Sequence, residues 1–524
     1  MERILDWNKY LDTAAKMVSE GIVMLKNENN ALPLDADKEV AVFGRIQFHY
    51  YKSGTGSGGM VNVTKVVNIL DGLIDNGVKV NEKLLDTYRK WDKENPFDLG
   101  EGWGGEPWSQ KEMPLDEGLV KETAKSCETA IVIIGRTAGE EQDNRLEAGS
   151  YLLSDDEIAM LTVVRKHFKK VVLLLNVGNI IDMTDINRIA PDAVLYVWQG
   201  GMTGGKGTAD VLTGKVSPSG KLPDTIAYKA SDYPSDANFG REENRDIYAE
   251  DIYVGYRYFE TFAKENVLYP FGFGLSYTAF EIKTEKAEIT EGAVKLSVSV
   301  KNIGSYKGKE VIEVYCEAPQ GRLGKAARVL CGFEKTRELV PQEEQVVEIA
   351  VDIAKLASYD DSGVTGNKSC YVLEAGEYKF YVGSDVRSAE YACSFEQGED
   401  LVTERLTQSL APVESFERIK PVCEGGAFSI GREAVPVSGE IAYTGDKGIK
   451  LWDVKNGKNT MDEFIAQLSD YDLSCIIRGE GMGSPRVTAG TASAFGGVSE
   501  NLNGFGIPAG CCSDGPSGMR LDCG

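Results

Sequence analysis

Histidine is nearly missing: only His49 and His167 occur in 524 residues. A catalytic triad built on histidine, or a histidine-rich metal centre, has little to draw on. Basic charge is also short, with 57 Lys and Arg against 81 Asp and Glu and a net charge of −24. Such a field repels nucleic acid and anionic lipid, so neither is expected as a partner. No apolar run is long enough to span a membrane, and the longest, VVLLLNVGNII, is broken by Asn176 and Gly178. The opening MERILDWNKYLDTAAKM is a charged amphipathic helical pattern without the apolar segment of a secretory leader. The ten cysteines form no C-x-x-C pair, and Cys511 and Cys512 are adjacent. Reduced thiols in a cytoplasmic protein are therefore expected.

What is present divides the chain. Residues 1–232 alternate continuous apolar runs with helical patterns: EVAVFG, TAIVIIG, KVVLLLNVG and AVLYVW, with VVNILDGLIDNG and SDDEIAMLTVVRKHF between them. Continuous apolar runs suit parallel strands buried on both faces, so a doubly wound α/β domain is predicted. Ser154 followed by Glu157 gives a capping box at the start of the second helix. Residues 233–280 are rich in Tyr, Pro, Gly and charge and read as a connecting segment. In 281–400, KLSVSVKNIG, KEVIEVYCE, QVVEIAVDI and EYKFYVGS alternate apolar and polar residues, which predicts an antiparallel β-sandwich. Residues 401–460 read as a linker or wrapping segment. MDEFIAQLSDYDLSCII, opening the stretch 461–524, predicts an amphipathic helix.

Four stretches carry candidate chemistry. GRTAGEEQDNR (135–145) follows a buried strand and holds Glu140, Glu141 and Asp143. It is either a solvated turn in which Arg145 pairs Asp143, or a carboxyl group at the strand-end crevice where α/β sheets bind ligands. SGTGSGG (53–59) contains G-x-G-x-x-G, yet it begins some residues after its strand and has no acidic residue at the end of the next one. It reads as a nucleotide loop, as a loop without function, or as backbone approaching a polar small molecule with Ser57 as donor. Trp103 and Trp108 lie in NPFDLGEGWGGEPWSQ and either stack on a ligand face or pack on their own domain. SDGPSGMR (513–520) by itself suits a simple turn.

Together these segments resemble the family 3 glycoside hydrolases, the β-glucosidase family. AAKMVSEGIVMLKNENNALPL, PSGKLPDT, DIYVGYRYFET and the long YPFGFGLSYTAFE carry the likeness, and GFEKTREL and LEAGEYKFYVGS are similar to its fibronectin type III-like module. DEFIAQLS and SDGPSGMR resemble the opening of the family's (β/α)8 barrel, here placed last, as in a subgroup with inverted domain order. The fold implied is an α/β sandwich, a fibronectin type III-like β-sandwich and the incomplete start of a barrel. The resemblance implies that Glu140 is the general acid/base, with Glu141 as fallback. It gives Asp514 and Arg520 as sugar-binding residues, joined by Ser57. The nucleophile, an aspartate on a later barrel strand, has no match and is expected beyond Gly524. The function implied is retaining hydrolysis of β-glucosides, releasing terminal glucose and needing no metal or cofactor. The alternatives are a β-xylosidase or other exo-glycosidase, or a non-catalytic carbohydrate-binding fragment. The expected partner is a β-glucoside or oligosaccharide, and a homo-oligomer is compatible with it.

A chain with an acid but no nucleophile forfeits many orders of magnitude in rate. The 524-residue chain is therefore expected not to turn over nitrophenyl β-glucoside. Saturable turnover, with host glycosidases excluded, would overturn that expectation.

Overall fold

The computed structural model describes residues 5–513 other than 57, 58, 60–62, 103, 141, 409, 410, 426 and 481–483. Six strands form the first sheet: β1 (Val23–Asn27), β2 (Glu39–Phe43), β3 (Lys79–Val80), β4 (Thr129–Gly135), β5 (Lys170–Asn176) and β6 (Ala193–Tyr196). Their order is β1-β6-β5-β4-β2-β3. All pairs are parallel except β1, which runs antiparallel beside β6 at one edge.

The continuous apolar runs explain this placement, because successive side chains point to opposite faces and both faces are covered. From β4, Ala130, Val132 and Ile134 join one core with Leu173 and Leu175. Helices α3 (Glu82–Glu94), α4 (Glu117–Thr123), α5 (Asp155–His167) and α6 (Thr184–Ile189) contribute Leu84, Val120, Leu161 and Ile186 to it. Ile131 and Ile133 point the other way, into a core with Val172 and Leu174. There they meet Leu73 of α2 (Ile69–Asp75) and Leu212 of α7 (Gly204–Leu212), with Val18 of α1 (Trp7–Gly21) packed alongside. Each fully buried Ile, Leu or Val side chain favours this arrangement by about 1.5–3 kcal/mol. The predicted capping box is present on α5: Ser154 Oγ accepts from Glu157 N, and Glu157 Oε2 accepts from Ser154 N.

The β-sandwich packs a three-stranded sheet (Phe280–Ile289, Ala293–Asn302, Glu344–Asp352) on a four-stranded one. The latter holds Val329–Lys335, Val311–Glu317, Gly376–Gly383 and Glu390–Gln397. The inward positions of the alternating pattern, Val294, Leu296, Val298, Ile312, Val314 and Phe380, form its core. Residues 401–435 carry Leu401–Arg405 and a hairpin, Glu417–Glu424 with Ala427–Ala434, that belongs to the same compact unit.

The described residues of 411–414 and 436–513 make a second unit with a small core of Phe464, Leu468 and Phe505. The single helix expected over 461–477 is two helices, Met461–Ala466 and Asp470–Arg478. Ser469 interrupts it by forming a capping box with Asp472, so the second helix starts afresh. Among the described residues, no helix is long and apolar enough to cross a membrane.

Polar groups stitch the α/β domain to the β-sandwich. Glu20 of α1 meets Lys309 at 2.5 Å and Lys335 at 3.3 Å, and Lys221 meets Glu310 at 2.8 Å. Beside them Glu313 is buried against Gly272, where a Cβ would lie 2.3 Å from its Oε2. Burial pushes the Glu313 carboxyl up to about 7, against the opposing pull of the Tyr315 hydroxyl and Lys221. Between about pH 4.5 and 7 the folded chain holds a proton here that the unfolded chain has released, so this group's contribution to stability falls as pH rises. Relative to the parent, Glu313→Gln should therefore gain stability from pH 5 to pH 8, by at most about 3 kcal/mol. Urea denaturation at both pH values measures the difference; a constant one would contradict the assignment.

Candidate active site

The carboxyl ends of β4, β5 and β6 meet around Asn176, the last residue of β5, which is fully buried. Its Oδ1 accepts from Tyr51 N (2.9 Å), and its Nδ2 donates to Tyr51 O (3.0 Å) and Trp198 O (2.6 Å). Its carbonyl accepts from Arg136 N at 3.1 Å. One residue thus ties the end of β5 to the segments after β2, β4 and β6, with its side-chain donors and acceptor satisfied.

From this junction the chain leaves β4 as Arg136, Thr137 and Ala138, all buried, and then emerges at Gly139 and Glu140, both exposed. The root is knotted by Arg136. Its Nη1 and Nη2 donate to Glu157 Oε1 (2.5 Å) and Oε2 (2.6 Å). The remaining N–H groups reach Ser150 O (3.0 Å), Gly135 O (2.8 Å) and Leu152 O (3.2 Å). Both ends of the 136–152 loop are therefore held by one guanidinium.

The tip is flanked by two further segments. On one side lies the glycine-rich stretch: Thr55 N donates to Ala138 O (2.6 Å), and Thr55 pairs with Gly139 as an isolated parallel bridge. On the other, Gln142 Nε2 donates to Gly104 O (2.7 Å) and Glu106 O (2.8 Å). Thr137 N donates to Trp108 O (2.8 Å), and the Arg145 guanidinium sits 5.2 Å from the Trp108 ring centroid. Burial, then the nearby Asp98, raises the Glu106 carboxyl above its ordinary range. The arrangement places Glu140, exposed at the sheet's carboxyl edge, on a backbone tethered at the root and from both sides.

The structure decides several open readings. Arg145 is partnered with the Trp108 ring, and among the described residues no ion pair joins it to Asp143. Trp108 packs on its own domain. Among the described residues the next α-helix, α2, begins only at Ile69, well past the glycine-rich stretch, which is not the close strand–turn–helix setting of a nucleotide loop. Glu140 is exposed, two residues past Ala138, the last buried residue of the segment. Ser57, Glu141, Trp103, Asp514 and Arg520 lie outside the described residues. Sequence reasoning missed Arg136 and Asn176, and saw Glu157 only as a helix cap. The available signal was a lone Arg and a lone Asn at the ends of otherwise apolar strands, which need buried partners.

Residues 22–277 match the model of the glycosyl hydrolase family 3 C-terminal domain, and 310–386 that of the fibronectin type III-like domain. The chain is 61% identical to a β-glucosidase of Ruminococcus albus, over 99% of this chain and 56% of that protein. It is 34% identical to β-glucosidase A of Butyrivibrio fibrisolvens, over 99% of this chain and 70% of the relative. Among solved structures, a β-glucosidase from Paenibacillus barengoltzii superposes with a TM-score of 0.84 at 51% identity, covering 99% of this chain and 59% of that one. β-Glucosidase 3B of Thermotoga neapolitana, solved with α-D-glucose, gives 0.69 at 35% identity over 76% of this chain and 55% of that one. The chain thus spans little more than half of several proteins it matches.

Removing one member of a buried ion pair strands the other. Arg136→Met is expected to cost about 3–5 kcal/mol in denaturant unfolding, and the double change Arg136→Met/Glu157→Leu distinctly less. Equal losses in the two would contradict the pairing.

Proposed function

Because the chain belongs to glycosyl hydrolase family 3, we propose that it forms part of a retaining exo-β-glucosidase, with Glu140 as general acid/base. The activity proposed is that of a polypeptide of the relatives' length. It releases terminal β-D-glucose from the non-reducing end of β-glucosides. The observation that carries the reading is the place of Glu140: an exposed carboxylate at the carboxyl edge of the sheet, on a loop whose root is locked by Arg136 and Glu157. The β-glucosidases to which the chain is similar support the substrate class.

In this mechanism a second carboxylate, supplied by a barrel domain whose opening DEFIAQLS and SDGPSGMR resemble, stands about 5–5.5 Å from Glu140. It attacks the anomeric carbon while the bond to the leaving oxygen breaks, and the Glu140 proton passes to that oxygen. Glu140, now ionised, takes a proton from water as the water oxygen attacks the anomeric carbon and the nucleophile departs. Asp514 accepts sugar hydroxyls, Arg520 donates to them, and Ser57 reaches the same pocket. None of these steps requires a metal or cofactor.

The test uses a polypeptide of family length. Glu140→Gln removes proton donation and leaves the nucleophile. Alkyl glucosides, with poor leaving groups, should lose at least about a hundredfold in rate. Dinitrophenyl glucoside should keep its first step and stall at the second, where azide should restore turnover and yield β-glucosyl azide. Uniform slowing of all leaving groups without azide rescue would remove Glu140 from the role and pass the test to Glu141.

A further inference from the structure

The glycine-rich stretch has no role in the mechanism beyond the proposed Ser57 contact, yet its described residues make the closest contacts to the acid/base segment. Thr55 is buried, 8% exposed. Its backbone N–H donates to Ala138 O at 2.6 Å, and its hydroxyl donates to Glu140 O at 2.9 Å, with Ala138 O farther away at 3.5 Å. These two bonds from one residue span Gly139, which has a φ of +120° and is the most permissive point of the segment. The next residue, Gly56, lies directly against the Glu140 side chain. A Cβ at position 56 would stand 2.4 Å from Glu140 Cβ and 2.4 Å from its Oε2. The bare backbone of Gly56 is therefore the wall along which the carboxylate lies.

We infer that Thr55 is a positioning residue for Glu140: its hydroxyl fixes the Glu140 carbonyl, and with it the direction in which the carboxylate leaves the chain. The inference rests on the reading of Glu140 as the acid/base. The chemistry favours threonine here. Its β-branch leaves few rotamers, so a buried Thr hydroxyl is aimed rather than mobile. Gly139 leaves the peptide planes beside it more torsional freedom than any other residue would, so each bond across it counts. The Arg136–Glu157 knot cannot supply this control, because it grips the loop below Gly139. The length of the proton-transfer bond thus depends on a contact made from a different strand connection.

Two measurements test this. The first is hydrogen exchange on the 524-residue chain, comparing parent, Thr55→Val and Thr55→Ser. Gln142 N donates to Gly139 O, so its amide reports on the segment. Thr55→Val removes the hydroxyl at nearly constant shape and should speed exchange in peptides covering 137–142 by about five- to tenfold, with the global unfolding midpoint little changed. Thr55→Ser should restore protection. Unchanged exchange in Thr55→Val overturns the contact, whatever Glu140 does. The second is kinetic, in the family-length polypeptide. Thr55→Val should lower kcat for alkyl glucosides by roughly ten- to a hundredfold with KM little altered, while the first step with dinitrophenyl glucoside is spared. Equal loss on every leaving group, or no rescue by Thr55→Ser, makes Thr55 a structural latch and overturns the positioning role. If exchange responds as expected but Glu140→Gln shows no leaving-group selectivity, the reading of Glu140 fails, and the positioning role falls with it while the contact stands.

Discussion

The pairing of Arg136 with Glu157 is the constraint on which the candidate site hangs. Burying either charge alone costs several kcal/mol, and their attraction repays that only when every remaining donor is satisfied. Here all five guanidinium N–H groups are used, three of them on main-chain oxygens at the two ends of one loop. Glu157 gains a second source of support, because it sits in the first turn of α5, accepts from Ser154 N and faces the positive end of the helix. The pair converts an electrostatic liability into a geometric statement: residues 136 and 150–152 cannot separate, so whatever stands between them is presented from a fixed base.

Asn176 performs the matching task one strand over. The N–H and carbonyl of Tyr51 and the carbonyl of Trp198 lie outside the strands of the sheet, and an amide with one acceptor and two donors is the side chain that takes up all three. Close backbone approach completes the arrangement. Gly44, just past β2, has a φ of +97°, and a Cβ there would fall 2.2 Å from Ile133 O. The first connection can turn over β4 because that position carries no side chain. Local chemistry at three strand ends, rather than the apolar core, thus decides where the loops go.

The sequence disclosed the parts governed by periodicity. TAIVIIG and KVVLLLN read as strands buried on both faces because hydrophobic pattern and burial are the same physical fact. The capping box at Ser154 was legible because it is local, spanning four residues. The break at Ser469 is equally local and was still overrun, since the apolar spacing continues through it and periodicity outweighed the cap. Arg136, Asn176 and Thr55 were not legible, because their partners lie 21, 125 and 85 residues away in the chain. Nothing in a linear pattern says which distant carbonyl a polar side chain will find. Glu140 was reachable only through the family resemblance; as a bare string, a loop rich in Glu, Asp and Arg is indistinguishable from a solvated turn.

The exposure of Glu140 bears on how such a site would work. A general acid must hold its proton near neutral pH, and burial is one way to arrange that. In the α/β domain the buried carboxyls are Glu112, Glu157 and Asp192, each committed to main-chain or side-chain partners, while Glu140 is exposed. What the domain supplies is direction, through the knot at Arg136 and the bonds from Thr55. In the proposed mechanism, the force that keeps a proton on Glu140 comes instead from a second carboxylate about 5–5.5 Å away, whose charge opposes ionisation of its neighbour. That force disappears once the second carboxylate is esterified by the sugar, at the moment when Glu140 must become a base. Division of labour follows from this: a chain that fixes where the carboxylate points, and a partner group whose charge state sets when it gives and takes its proton.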